Sequence, residues 1–231
     1  MIKKILYTVS GIMFFIDIHA YAQNGITADQ ILNIYVEKIG GVKRWSSIRT
    51  TKFRDIVELK NGDSIELVTI KEYPDKYYFK TRTTEGVWTT IYNGGKAVNI
   101  HNGKIDTIRD KVELDKLKLQ SCILPDMEYK KLGYKYEFVG IQKFNNIDYY
   151  EIDFESPNGA KTINFYDKES GLLRMIYVPG GGRSIFTNYK EQEGCMYPYK
   201  MLYQQPDGII LDITTKEFSV DKRISPETFS Y

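Results

Sequence analysis

The chain has 231 residues, of which 32 are basic and 30 acidic, giving a net charge of +2 with its two histidines neutral. Neither sign dominates, so nothing drives counterion release from nucleic acid or attraction to an anionic membrane surface. Partners must therefore be selected by shape and apolar contact.

Lys3 and Lys4 precede an apolar run from Ile5 to Ile16, and Ala20-Tyr21-Ala22 follows. Basic, apolar and small-x-small segments in that order mark residues 1–22 as a cleavable secretory signal. A retained membrane anchor needs about 20 apolar residues, and Asp17 and His19 interrupt this run. Removing 22 of the 231 residues leaves 209 with a net charge of +1, enough for one sizeable core and hence a single domain over residues 23–231. No cysteine follows the cleavage site to take a lipid, so the expected product is soluble, periplasmic and not an integral membrane protein. Cys122 and Cys195 are the two cysteines. An oxidising compartment permits a disulfide between them, and their apolar neighbours suit buried thiols equally well.

Thr27-Ala28-Asp29-Gln30 has the spacing of a capping box. Ile31, Ile34, Tyr35 and Ile39 follow at helical intervals, and Gly40-Gly41 provides the stop. A brief helical turn over residues 42–48 carries Trp45. From Thr50 onward, short runs rich in Val, Ile, Thr, Tyr and Phe alternate with turn signals such as Asn61-Gly62, Asn93-Gly94-Gly95, Asn102-Gly103 and Pro206-Asp207-Gly208. That texture predicts a long antiparallel meander. Between Asp110 and Leu132 the apolar residues sit among charges at a spacing that fits one or two short helices, read as a crossover or lid.

Alternation within the strands predicts one apolar and one wet sheet face. Phe53, Val57 and Leu59 oppose Lys52, Arg54 and Glu58; Tyr77 and Phe79 oppose Tyr78 and Lys80; Tyr134, Tyr136 and Phe138 oppose Lys135 and Glu137. The phase slips near residues 65–70 and again near 138–141, which predicts a bulge or a strong coil at each place and a strongly curved sheet. A curved sheet has a concave apolar face, and two short helical segments are all that is offered to cover it, so a cavity is expected. Tyr197, Tyr199, Met201 and Tyr203 form an aromatic stripe suited to an apolar ligand, or to an ordinary core. The candidate ligand-binding residues are therefore Phe53, Val57, Leu59, Tyr77, Phe79, Trp88, Tyr136, Phe138, Tyr197, Tyr199, Met201 and Tyr203.

Catalytic material is scarce. Once the signal is removed His101 is the one histidine left, at the end of a strand, which is too little for a triad or a zinc site built on several His and Cys ligands. Gly180-Gly181-Gly182-Arg183 lacks the Lys-Ser/Thr ending of a phosphate loop and runs into a strand, so it reads as a hairpin turn. The pairs Glu151/Asp153 and Asp106/Asp110 read as solvated surface. No catalytic residue, metal ligand or cofactor is expected, and the chain reads as a binding protein and not as an enzyme.

Lys131-Leu132-Gly133-Tyr134-Lys135-Tyr136-Glu137-Phe138-Val139-Gly140, Asn164-Phe165-Tyr166-Asp167-Lys168-Glu169-Ser170-Gly171-Leu172-Leu173, and the run from Asn188 to Lys200 that carries Tyr197-Pro198 resemble the outer-membrane lipoprotein-sorting-protein family of Bacteroidetes, relatives of the periplasmic LolA-like carriers. The resemblance implies a mainly β (α+β) fold, an unclosed, strongly curved antiparallel half-barrel with an N-terminal helix and a short helical lid. It implies a carrier that holds a lipid, an acyl chain or a lipoprotein in an apolar cavity. No residue matches the basic group that locks the lid in such carriers. The rival expectations are a structural or protein-interaction module of the cell envelope with a packed interior and, behind it, a hydrolase.

Overall fold

The computed structural model describes residues 25–59 and 62–231; the secretory signal expected over residues 1–22 lies outside the described residues. Helix α1 (Ala28–Lys38) starts where the capping box demands it: the Gln30 amide N–H donates to Thr27 Oγ1 (3.2 Å) and the Thr27 N–H donates to Gln30 Oε1 (2.8 Å). Ile31, Leu32, Tyr35 and Val36 form its buried face. The helix ends against the sheet at Gly40, whose φ is +129° and where a Cβ would stand 2.5 Å from the Gly194 carbonyl oxygen. Glycine is required there by both conformation and space. Helix α2 (Gly41–Ser47) follows, with Trp45 buried and its indole N–H donating to the Ile39 carbonyl at 3.0 Å.

Thirteen strands come next: β1 (Thr50–Glu58), β2 (Ser64–Glu72), β3 (Lys76–Thr83), β4 (Gly86–Asn93), β5 (Lys96–His101), β6 (Lys104–Ile108), then, after helix α3 (Lys111–Ser121) and a 3-10 turn (Pro125–Met127), β7 (Lys135–Phe144), β8 (Ile147–Glu155), β9 (Lys161–Asp167), β10 (Leu173–Val178), β11 (Gly182–Gln192), β12 (Cys195–Gln204) and β13 (Ile210–Val220). They form one antiparallel sheet in the order β6-β5-β4-β3-β2-β1-β13-β12-β11-β10-β9-β8-β7. Two meanders are thus joined along the β1–β13 seam, and β6 and β7 are left as the free edges of an unclosed half-barrel. Residues 109–134, consecutive with both edges, must cross one face of the sheet to connect them, and α3 packs on the face that carries Tyr77, Tyr92 and Ala97. The expected lid follows from that path.

Bulges at Arg54/Asp55, Phe138/Gly140 and Leu173/Met175 supply local twist. The second is the bulge expected near residues 138–141. The one expected near residues 65–70 is absent: β2 pairs with β1 and with β3 in unbroken register. The apolar residues on both faces of β2 have another cause. Ile70, Tyr78, Ile91, Val98 and Ile100 form a second, convex-side cluster, closed by Ile224 and by Phe229 from the C-terminal 3-10 turn (Pro226–Phe229). The convex face is consequently not wet throughout, as the alternation suggested. Cys122 and Cys195 are both free and buried, which removes the disulfide reading. Gly180-Gly181-Gly182 is the β10–β11 turn, and a Cβ at Gly182 (φ +97°) would come 2.3 Å from the Gln204 carbonyl oxygen.

Phe229 is 2% exposed, and its removal leaves a void that the tail cannot refill. Phe229→Ala is expected to cost about 3 kcal/mol of stability, read as a lowered urea midpoint with an unchanged denaturant slope. A midpoint equal to that of the parent protein would show that the tail contributes nothing to the convex face.

Candidate functional site: a roofed cavity on the concave face

The main core fills one end of the concave face, where α1, α2, Phe53, Ile152, Phe154, Tyr166 and Phe218 pack together. Beside it lies a cavity of about 460 Å³, within the range of small-molecule sites. Its roof is the crossing segment, through Leu119 and Gln120 of α3 and Ile123, Leu124 and Pro125 beyond it. Its floor is the sheet, through Phe53, Thr69, Ile176, Phe186, Met196 and Tyr197, and Tyr35 of α1 with Ile39 just after it close one side. The lining is mostly apolar.

The roof is attached unevenly: Cys122, Leu124 and Tyr129 beyond α3 are buried, and α3 itself has less to hold it. Within α3, Leu117 is the one apolar side chain fully buried, against Tyr77, Tyr92 and Ala97, with Leu114 half-buried beside it. A polar latch holds the far side: Asp115 Oδ2 accepts from the backbone N–H of Asn158 (3.0 Å) and from its side-chain amide (3.1 Å), in the β8–β9 turn.

Lys71, Lys116, Lys161, Asp55 and Asp126 are the charged residues of the cavity wall. Lys71 on β2 is part-buried and donates to the Cys122 carbonyl at 2.9 Å; desolvation beneath the roof lowers its amine to about 8, against weaker opposing attraction from Cys122 and Asp126. Asp126 sits at the end of the roof and accepts from the Tyr166 hydroxyl at 2.8 Å. Burial pushes its carboxyl up to about 6, an effect that the Tyr166 bond, its own backbone N–H and Lys71 only partly offset. Asn164 extends this network, donating to the Tyr166 hydroxyl at 3.3 Å. Asp55 on β1 is also raised by burial, Thr215 bonding one oxygen, while its Oδ1 is buried with no hydrogen-bond partner among the described residues.

Of the twelve residues expected to meet a ligand, Phe53 and Tyr197 line the cavity, their rings 4.8 Å apart. Tyr136, Phe138 and Tyr199 pack half-buried around the same core. Tyr136 ties β7 to α1 by donating to Asp29 Oδ1 at 2.6 Å. Tyr77 and Phe79 lie under α3, and Val57 is buried opposite Ile213 on the β1–β13 seam. Leu59 is half-buried at the β1–β2 hairpin, and Met201 and Tyr203 are half-buried on β12, with the Tyr203 hydroxyl donating to the Gly181 carbonyl at 2.8 Å. Trp88 is 39% exposed and stacks on His101, centroids 3.6 Å apart, outside the cavity wall. Lys71, Asp126 and Asp55 escaped the sequence reading. Asp55 was legible in phase, falling between Phe53 and Val57 on an apolar stripe.

The fold favours the neutral form of Asp126, so that group's contribution is complete below pH 4 and lost as pH rises through 6. Asp126→Asn removes the charge and keeps an acceptor for Tyr166. We expect the variant to be about 2 kcal/mol more stable than the parent at pH 8 and equal to it near pH 4, as measured by denaturant unfolding at the two pH values. A gain that persists at pH 4 would show another cause.

No protein-family model matches the chain, and no curated protein matches it in sequence. Solved structures do match its fold. A LolA superfamily protein from Nitrosomonas europaea superposes with a TM-score of 0.61 at 11% identity, over 90% of this chain and 99% of that one. A DUF1329 family protein from Desulfovibrio piger gives 0.60 at 12% identity, over 87% and 96%. An outer membrane lipoprotein-sorting protein domain from Vibrio parahaemolyticus gives 0.55 at 11%, over 86% and 95%. At such identities the likeness is one of fold: the chain is an unclosed LolA-like half-barrel with helices across its concave face.

Proposed function

We propose that this protein is a periplasmic binding or carrier protein that holds a lipid, an acyl chain or the acylated end of a lipoprotein in the cavity beneath α3, without catalysing a reaction. The observation that carries the reading is the unfilled, mainly apolar space of about 460 Å³ under the crossing segment. A scaffold with a packed interior has no such space. The half-barrel shared with a lipoprotein-sorting domain and the sequence likeness to the Bacteroidetes sorting proteins support the same reading. So does the export signal expected over residues 1–22.

Transfer of an alkyl chain from water into this space gains about 0.8 kcal/mol per methylene. Twelve methylenes offer roughly 10 kcal/mol before the costs of ordering the chain and closing the roof, which suffices for binding without any covalent step. Organic extraction of the protein as purified from its native compartment, followed by mass spectrometry, tests the proposal. An acyl-bearing molecule in near-stoichiometric amount is expected; a protein that carries none and takes up none when offered would end it.

A second reading, docking of an envelope protein, is favoured by one surface. Val139 (51% exposed), Ile141 (43%), Phe144 (44%) and Ile147 (43%) cluster on the free edge formed by β7 and its hairpin to β8. Photo-cross-linking from position 144 in intact cells distinguishes a protein partner there from an unoccupied edge.

If the roof gates the cavity, its latch sets how fast a ligand leaves. Asp115→Ala removes both bonds to Asn158, a loss of about 1 kcal/mol at a part-exposed site, and is expected to speed release of a bound fluorescent fatty acid about fivefold in stopped-flow displacement. An unchanged release rate would mean that ligand leaves by a route the roof does not control.

A further inference from the structure

We propose that Lys71 recognises the anionic headgroup of the ligand, so that the cavity takes an amphiphile ending in a carboxylate or phosphate, a free fatty acid in the first instance, in preference to neutral acyl chains. This rests on the carrier reading above and adds a substrate class to it. An ammonium has three N–H donors. Among the described residues one hydrogen bond of Lys71 goes to protein, the Cys122 carbonyl at 2.9 Å, and no carboxylate lies within the 4.0 Å of an ion pair. Lys71 is itself a residue of the cavity wall, where a ligand anion can take the remaining donors.

The other charged groups in the wall do not supply the missing acceptor. Lys116 and Lys161 offer no acceptor. Asp126 Oδ1 is engaged by Tyr166, and its carboxylate, although it attracts Lys71, stands beyond ion-pair distance. Asp55 is displaced along the sheet: in the β1–β2 register it stands opposite Leu67 whereas Lys71 stands opposite Thr51, four residues and about 13 Å further along the strand. A headgroup anion at Lys71 is therefore well separated from Asp55, while the chain attached to it has Phe53, Ile176, Phe186, Met196 and Tyr197 to lie against. Charge-assisted hydrogen bonds in so poorly solvated a place are about twice as strong as neutral ones. The amine remains largely protonated at pH 7, its value being about 8, so the positive form is available to bind.

The test is binding of laurate, dodecyl phosphate and methyl laurate to the delipidated full chain and to Lys71→Met. Parent protein is expected to bind one or both anions about 10- to 100-fold more tightly than the ester, as one to two charge-assisted bonds require. Lys71→Met is expected to lose that preference, binding acid and ester equally, and Lys71→Arg to keep it. The carboxylate and phosphate arms identify which headgroup is preferred. Equal binding of acid and ester by the parent, or an undiminished preference in Lys71→Met, overturns the headgroup proposal and leaves the carrier reading standing. Failure of all three probes to bind overturns both. If Lys71→Met does not fold, the comparison of acid with ester on the parent protein still decides.

Discussion

The architecture turns on one constraint of chain path. Because β1 pairs with β13, the two meanders meet in the middle of the sheet, and β6 and β7, which are separated by only the residues 109–134, become opposite edges. The connection has no route along the sheet and must pass over one of its faces, and it takes the concave one, where α3 packs on Tyr77, Tyr92 and Ala97. A right-handed twist accumulated over thirteen strands draws those edges towards one another, which shortens the crossing but does not close the barrel. The roof of the cavity is thus a by-product of topology, and its sequence is free to be polar and loosely attached. That freedom is visible in α3, where Lys116, Lys118 and Gln120 are exposed and Leu117 alone among its apolar residues is fully buried.

The same constraint explains why the interior is not solid. α1 and α2 are anchored at one end, through the Ile39 carbonyl, which accepts from both the Trp45 indole and the Met196 backbone N–H, and they fill the concave face there. Past that end the cover is the crossing segment, a single layer with an 11-residue helix, about 16 Å long at the usual rise. A sheet of this curvature is wider than one such helix, and the space between Phe53, Ile176 and Leu119 is what remains.

Much of this was legible in the residues. The capping box at Thr27, the glycine stop, the meander, the helical crossover and the bulge in β7 all follow from local spacing, and the structure has each of them. The β2 slip was misread for a physical reason. Leu67 and Ile70 look like two phases of one apolar stripe, and the residue that makes Ile70 apolar is Phe229, more than 150 positions away. Periodicity cannot see a cover supplied by the far end of the chain. That misreading also hid Lys71: with the register of β2 undisturbed, Lys71 shares the inward face with Leu67 and Thr69. Trp88 was overvalued on residue type, because a cross-strand stack on His101 satisfies its ring at the rim of the sheet.

Lys71 and Asp126 set the energetic character of the site. The fold disfavours the charged form of each, and the signs are opposite: the lysine contribution is present above its unfolded value of 10.5 and lost as pH falls through 8, the aspartate contribution is present below 3.8 and lost as pH rises through 6. Between pH 6 and 8 both penalties are in force together. Apolar residues of similar volume would remove them and would serve a purely alkyl ligand equally well, because packing and chain transfer depend on area and not on charge. On the carrier reading, two ionisable groups held at a cost in the roofed cavity suit a ligand whose polar end is bound in a definite orientation. A cavity that fixed one end of an amphiphile in this way would also fix which end emerges first, and the direction of loading would then follow from the position of the charges along β2 and the roof.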